Sequence, residues 1–160
     1  MNPEALIGQQ ATFSKTISES DVYLFAGITG DLAAYHVNAE AMRTSEYGQR
    51  IVHGVLTLGF LSTVSTLFWE ARGESGLGVS LGYDHVRFIR PVFIGDTVTA
   101  RYTIASWDPD RQRMVAEGEI TNQHEDVCLV ARHLTKFLRV TPDATGASRT
   151  ERRDPQTTGR

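Results

Sequence analysis

The sequence contains a single cysteine, Cys128, among its 160 residues. An intrachain disulfide and a zinc site built from several cysteines are therefore excluded, and a lone thiol is compatible with a reducing compartment. The formal net charge is −3, and no lysine or arginine cluster lies in the body of the chain. This charge pattern predicts no nucleic-acid partner. The first residues lack a basic segment followed by a long apolar run, so we predict no secretory signal.

Long hydrophobic runs are also missing. The longest stretch without a charged residue covers 54–69 and is rich in serine and threonine, which is short for a membrane span and favours a buried helix. We therefore predict a cytoplasmic protein with no membrane association. Hydrophobic residues make up 41% of the chain, enough for one domain with its own core, which we place at 1–140. Residues 141–160 contain no Val, Ile, Leu, Met or aromatic residue, so we predict a flexible polar tail.

The first half of the chain carries helical signals. Ser18 followed three residues later by Asp21 is typical of a helix N-cap with acidic residues in the first turn. Gly27 and Gly30 predict that this helix breaks before a loop or irregular turn over 31–36, and a short surface helix is expected over 38–47. The segment 54–69 is apolar on nearly all sides of a helix, which predicts a helix enclosed by other structure.

The second half alternates between apolar and polar residues. This period of two predicts strands over 79–89, 97–104, 113–121 and 127–140, with a weaker strand over 11–16. Short turns join them, as in "WDPDRQ" at 107–112, so the strands are expected to be antiparallel. The predicted fold class is therefore α+β, with a long antiparallel β-sheet wrapped around a central buried α-helix.

Three segments in this order resemble one family. "FAGITGDLAAYH", then "IVHGVLTLGFLS", then "VRFIRPVFIGDTVTARYTI" are similar to the MaoC-like, R-specific enoyl-CoA hydratases of the hot-dog fold, over roughly residues 5–140. The family signature runs glycine, aspartate, any residue, asparagine, proline, an aliphatic residue, histidine. Gly30, Asp31 and His36 match it. The sequence departs from it at three positions, which carry Ala33, Ala34 and Tyr35.

The resemblance implies an enzyme, a hydro-lyase that reversibly adds water to a trans-2-enoyl-CoA thioester to give a (3R)-3-hydroxyacyl-CoA. It implies that Asp31 and His36 activate the water and that the Gly54 amide stabilises the oxyanion. It further implies that Ser62 fixes the catalytic pair, that the protein is a homodimer, and that neither a metal nor a redox cofactor is used. On a regular helix the two catalytic side chains would diverge by about 140°. They converge only if the backbone leaves the helix, which Gly30 makes easy.

A wall for the acyl chain is expected from four side chains near these residues: Phe25, Tyr35, Leu56 and Phe60. His53 is a further candidate for substrate binding. A metal site formed by His53, Asp31 and His36 is an alternative, but the sequence offers no metal-binding spacing. Other interpretations stay open for single residues. Asp31 could instead cap the following helix, and His36 could be a surface residue. Ser62 could be a helix residue whose hydroxyl is hydrogen-bonded without any role in the site.

Two other functions remain open at this stage. One is a hot-dog thioesterase that hydrolyses acyl-CoA, a reaction that needs a carboxylate but no imidazole beside it. The other is a non-catalytic hot-dog subunit that binds acyl-CoA. Arg87, Arg90 and Arg101 are candidate contacts for the phosphates of CoA, with solvated charges on strand faces as the alternative.

Overall fold

The computed structural model describes residues 2–73 and 78–138, so the predicted tail at 141–160 lies outside the described residues. A short 3-10 turn at Pro3–Leu6 precedes the regular elements. These are β1 (Gln10–Thr16), α1 (Glu19–Thr29), α2 (Ala34–Val37), α3 (Ala39–Met42), α4 (Gly54–Glu70), β2 (Gly78–Phe88), β3 (Thr97–Asp108), β4 (Arg113–Thr121) and β5 (Val127–Phe137). Each predicted strand is present, and β4 has the predicted bounds.

The strands form one five-stranded sheet in the order β1-β3-β4-β5-β2, and every neighbouring pair is antiparallel. β2, the strand that follows α4 in the chain, lies at the end of the sheet opposite β1. β1 and β2 are therefore the two edge strands. β3, β4 and β5 show the alternation of buried and exposed residues that the sequence predicts. Their buried side chains face α4 and form the core with it.

One face of α4 packs tightly on this sheet. Leu61, Val64 and Phe68 have no exposed surface. A side chain at Gly118 on β4 would place its Cβ 2.5 Å from a methyl group of Leu61. Glycine at this position thus allows the helix to approach the sheet closely, because any larger residue would displace a fully buried leucine.

The prediction that α4 is enclosed on all sides is wrong for the single chain. Val55 is 61% exposed and Leu67 is 40% exposed, and Gly59, Ser62 and Thr66 lie on the same open side. The physical reason is that one sheet covers only one side of a helix. The apolar residues that face away from the sheet have no partner among the described residues.

The N-terminal helices differ partly from expectation. Ser18 caps α1 as predicted: its hydroxyl accepts from the Asp21 amide, and the Asp21 carboxylate accepts from the Ser18 amide. The predicted helix over 38–47 is wrong in length, because only Ala39–Met42 is helical. The Ser45 amide and hydroxyl both donate to the Met42 carbonyl. Such side-chain competition for backbone groups favours turns over helix.

None of the helices in 2–73 and 78–138 combines the length and the apolar character needed to cross a bilayer.

Candidate active site

The catalytic loop begins where α1 ends. Gly30 has φ 79° and its amide donates to the carbonyl of Ala26, so it closes the helix in the left-handed conformation that glycine favours. Asp31 follows in the loop, and His36 lies in the next short helix, α2. The predicted departure from the helix is confirmed, and it brings the two side chains to the same place.

His36 is held in one orientation and one tautomer. Its side chain is buried, with 5% of the residue exposed, and its Nδ1 lies 2.7 Å from the carbonyl oxygen of Ile51. Because a carbonyl only accepts, Nδ1 donates its proton and Nε2 keeps the free lone pair. That Nε2 lies 4.0 Å from Oδ2 of Asp31, whose side chain is 50% exposed. The free lone pair of the His36 imidazole and the Asp31 carboxylate therefore lie close together.

His53 is a buried residue that contacts both members of this pair. It is 2% exposed, and its Nε2 donates to the main-chain oxygen of Asp31 at 3.0 Å. Its ring stacks on that of His36 with the centroids 3.6 Å apart and the planes 25° apart. His53 therefore joins the start of α4 to the loop and to the base. It was predicted to bind substrate, but the structure places it behind the catalytic histidine.

The pKa of His36 lies below its ordinary value. Burial lowers it most, the hydrogen bond to Ile51 raises it, the charge of His53 lowers it and that of Asp31 raises it. Because a histidine in solution titrates at about 6.5, the lowered pKa leaves His36 neutral at neutral pH. A neutral imidazole with a free Nε2 is the form that a general base requires.

Gly54 provides a free amide at the start of α4. α4 begins at Gly54 after the N-cap residue His53, and no side chain caps this end. Among the described residues, no acceptor bonds to the Gly54 amide. The positive end of the helix dipole lies behind this N–H. A Cβ at Gly54 would lie 2.7 Å from the ring of Phe88, so glycine permits the close approach of β2.

A cavity of about 360 Å³ opens at this end of α4. His36, Tyr35 and Gly54 contribute to it, and most of the remaining wall is apolar. That wall is formed by Tyr47, Ile51, Val52, Val55, Thr57, Phe88, Ile89, Arg90, Pro91, Val92, Cys128 and Leu129. A pocket with an apolar lining and a few converging polar groups is typical of a small-molecule site.

The structure places the residues predicted to form the acyl wall in different surroundings. Tyr35 lines the cavity and meets His36 edge-on, with the ring centroids 4.4 Å apart. Phe25 packs against His53 at 4.9 Å, so it supports the site without lining the cavity. Leu56 and Phe60 belong to or pack against the hydrophobic core and do not line this cavity, so their contact with substrate stays a prediction. The helical pattern places them on a buried face, and the sequence does not show which buried faces border a cavity.

The predicted contact of Ser62 with the catalytic pair is not made among the described residues. Ser62 lies about 12 Å along α4 from Gly54, since a helix rises 1.5 Å per residue, and it makes no hydrogen bond to Asp31 or His36. Sequence reasoning also missed two contributors, Ile51 and Phe88. Ile51 acts through its carbonyl oxygen, which any residue could supply, so no sequence signal identifies it.

Asp31, His36 and His53 each offer an atom that could bind a metal, and these atoms lie within 4.8 Å of one another. Their arrangement suits a metal poorly. Stacked imidazoles direct their lone pairs along nearly parallel planes, whereas ligands of one ion must converge on it. Two of the ring nitrogens are also engaged with the carbonyls of Ile51 and Asp31.

Comparison with known proteins identifies a family and several relatives to which this chain is similar. The sequence model of the family described as "MaoC like domain" matches residues 3–127. An (R)-specific enoyl-CoA hydratase from Rhodospirillum rubrum is 39% identical over 126 residues, which cover 71% of this chain and 84% of that protein. A 3-hydroxybutyryl-CoA dehydratase from Methylorubrum extorquens is 35% identical over 107 residues, or 67% of this chain and 65% of that protein.

The chain is also similar to a solved structure of an (R)-hydratase. The (R)-hydratase from A. caviae involved in PHA biosynthesis has a TM-score of 0.74 and 26% sequence identity to this chain, and the match covers 82% of this chain and 96% of that one. The predicted α+β hot-dog fold is confirmed by these structural similarities.

Proposed function

The chain belongs to the MaoC-like domain family, and on that basis we propose that it reversibly adds water to a trans-2-enoyl-CoA thioester to form a (3R)-3-hydroxyacyl-CoA. The predicted enzyme class, a hydro-lyase, is confirmed by relatives named as hydratase and dehydratase. The observation that carries the assignment to this site is the orientation of His36, whose Nε2 faces Oδ2 of Asp31 while Nδ1 is fixed on Ile51.

In the proposed reaction Asp31 and His36 bind the same water molecule. The water oxygen bonds to C3 of the enoyl group, and its proton passes to Nε2 of His36. The electron pair of the C2–C3 double bond moves towards the thioester oxygen and forms an enolate. The imidazolium then returns the proton to C2, the enolate collapses to the thioester, and His36 is neutral again. Asp31 accepts a hydrogen bond from the water and stabilises the imidazolium.

The enolate oxygen is placed at the Gly54 amide in this proposal. The free N–H and the helix dipole both favour negative charge at the start of α4. Glycine lets the thioester approach the backbone, while Tyr35 and Phe88 line the space where the acyl group lies. We propose that no metal or redox cofactor takes part, since the reaction transfers only a proton and a hydroxyl group. Activity unchanged by a chelator would support this.

We further propose that the protein is a homodimer. Support comes from the open apolar face of α4 and from the edge strand β2, where Val79, Leu81 and Phe88 are each more than 40% exposed. A second copy on this side would cover both. Light scattering is expected to give twice the chain mass of 17.7 kDa, and a monomer at micromolar concentration would contradict the proposal.

We propose a cytoplasmic location because Cys128 is the single cysteine of the sequence, and a lone thiol is compatible with a reducing compartment. Cell fractionation tests this, and recovery with the periplasmic or membrane fraction would contradict it.

The direct test of the function uses crotonyl-CoA. Loss of the conjugated enoyl absorbance without release of CoA thiol is the expected result and indicates hydration. Thiol release at the same rate would instead indicate the thioesterase alternative. An inactive protein that still binds acyl-CoA would favour the non-catalytic alternative.

The pH dependence of kcat/KM follows from the lowered pKa of His36. The base must be neutral, so activity is expected to fall as pH decreases, with an inflection below the ordinary histidine value of about 6.5. His53→Gln removes a neighbouring charge that lowers the pKa of His36, while glutamine still offers an N–H towards Asp31. The inflection should therefore move to higher pH in the variant. A wild-type inflection at or above 6.5 would contradict the assignment of His36 as the base.

A further inference from the structure

Four aromatic rings pack in a row that ends at the cavity. The ring centroids of Phe25 and His53 are 4.9 Å apart, and those of His53 and His36 are 3.6 Å apart. Tyr35 follows, with its centroid 4.4 Å from that of His36. Both histidines are buried, whereas Tyr35 is 48% exposed. Tyr35 therefore packs on the catalytic histidine at one side, and nearly half of its surface remains exposed at the cavity that it lines.

The main chain fixes Tyr35 relative to the catalytic histidine. The Tyr35 carbonyl accepts a hydrogen bond from the Ile51 amide at 3.0 Å, and the Ile51 carbonyl accepts one from Nδ1 of His36 at 2.7 Å. Both residues are thus held by the same residue of the neighbouring segment. The bond to Tyr35 uses main-chain atoms only, so another side chain at position 35 can keep it.

The proposed reaction brings the group on C3 of the substrate close to this ring. The water held by Asp31 and His36 attacks C3, and reacting atoms lie about 3–3.5 Å apart before such a step. The thioester oxygen is placed at the Gly54 amide, and a trans double bond directs the substituent on C3 away from the thioester. This substituent therefore starts beside His36, whose ring partner on the cavity wall is Tyr35.

Two further aromatic side chains line the same cavity. Tyr47 and Phe88 are each more than 40% exposed. Exposed rings leave apolar surface in contact with water, and a bound apolar group would cover it. Aromatic rings also favour offset-stacked and edge-to-face contacts with other aromatic rings, which stabilise a pair beyond the effect of the buried area. The composition of this wall therefore favours a substrate that carries an aromatic ring.

We propose that Tyr35 is a specificity-determining residue and that the cavity takes enoyl-CoA thioesters with an aromatic ring on C3. The inference rests on the proposed function and names its substrate class. The ring of the substrate packs on the exposed surface of Tyr35 and adds a fifth member to the row of rings. Tyr35 acts through this contact and takes no part in the proton transfers.

The test uses two ligands of similar size that cannot be hydrated, 3-phenylpropanoyl-CoA and 3-cyclohexylpropanoyl-CoA. Their Kd values are measured by calorimetry on the full chain, and the result is expressed as the Kd of the cyclohexyl ligand divided by that of the phenyl ligand. Tyr35→Leu should lower this ratio by about two- to tenfold, the effect of one aromatic pair. The two ligands differ in hydration by the same amount for every variant, so this difference cancels when the ratios are compared.

Control variants make the change specific to the ring at position 35. Tyr35→Phe keeps the ring and should keep the wild-type ratio. Tyr23→Leu makes the same substitution at another exposed tyrosine, which does not line the cavity, and it should also keep the ratio. The unfolding transition of Tyr35→Leu is compared with that of wild type, and Tyr35→Ile gives the same comparison if leucine impairs folding.

Three results would overturn the inference: a ratio that Tyr35→Leu leaves unchanged, a ratio that Tyr35→Phe lowers equally, or no measurable binding of the phenyl ligand. Hydration of crotonyl-CoA by the wild-type protein tests the proposed function separately, since its substituent on C3 is a methyl group. A protein that hydrates crotonyl-CoA but shows one of these three results keeps the proposed function and loses the proposed substrate class.

Discussion

Replacing His36 with alanine is expected to lower kcat for crotonyl-CoA hydration by about 10²–10⁴-fold, the usual contribution of a positioned general base. The variant loses Nε2, the nitrogen that faces Asp31 with a free lone pair. Because the base acts in the transition state, kcat should fall more than KM rises. The initial loss of enoyl absorbance, at saturating substrate and neutral pH, measures the effect.

Asp31→Asn should have an effect of similar size for a different reason. Asparagine keeps the size of the side chain but removes the negative charge that stabilises the imidazolium. The charge of Asp31 also raises the pKa of His36, so the variant's residual activity should have its acid inflection at lower pH than wild type. The two substitutions act on one unit, so the double variant should lose little more than the worse single variant.

Both variants need controls for folding. His36 is buried and stacks on His53, so the unfolding transition of His36→Ala must be compared with that of wild type. His124→Ala is a matched control, since His124 is exposed and lies outside the site. Turnover within a few-fold of wild type in folded His36→Ala or Asp31→Asn would remove these residues from the mechanism.

The sequence predicts the parts of this site that depend on local patterns. Gly30 shows where α1 must end, and alternation along 113–121 predicts a strand with the observed bounds. The family signature identifies Asp31 and His36, and the wider resemblance identifies Gly54. The structure brings Asp31 within 4.0 Å of His36 and places His36 and Gly54 on one cavity. These features depend on residues close together in the chain, for which backbone preference and periodicity are informative.

Contacts between distant segments were not predictable in the same way. The base is oriented by the carbonyl of Ile51, and a backbone carbonyl leaves no mark in a sequence. The sequence shows that His53 precedes Gly54 but not the direction of its ring, which stacks on His36. The exposed face of α4 was missed because periodicity reports which sides of a helix are apolar and not what covers them.

Replacing Gly54 with proline is expected to lower kcat by about 10²–10³-fold relative to Gly54→Ala, because it removes one oxyanion donor. Gly54 is the first residue of α4, a position where proline is well tolerated since its missing N–H has no partner within the helix. His53 has φ −58° and ψ 124°, a conformation that is favoured before proline. The substitution therefore deletes the amide donor while the helix keeps its start.

Alanine is the control that makes this comparison specific. A Cβ at position 54 would lie 2.7 Å from the Phe88 ring, so alanine and proline both displace that ring. Phe88 is 55% exposed and can move, so we expect Gly54→Ala to fold and to show a moderate rise in KM. Only proline also removes the N–H, and the difference in kcat between the two variants measures the donor. Equal kcat values in two folded variants would show that the enolate oxygen binds elsewhere, and the oxyanion role of α4 would have to be abandoned.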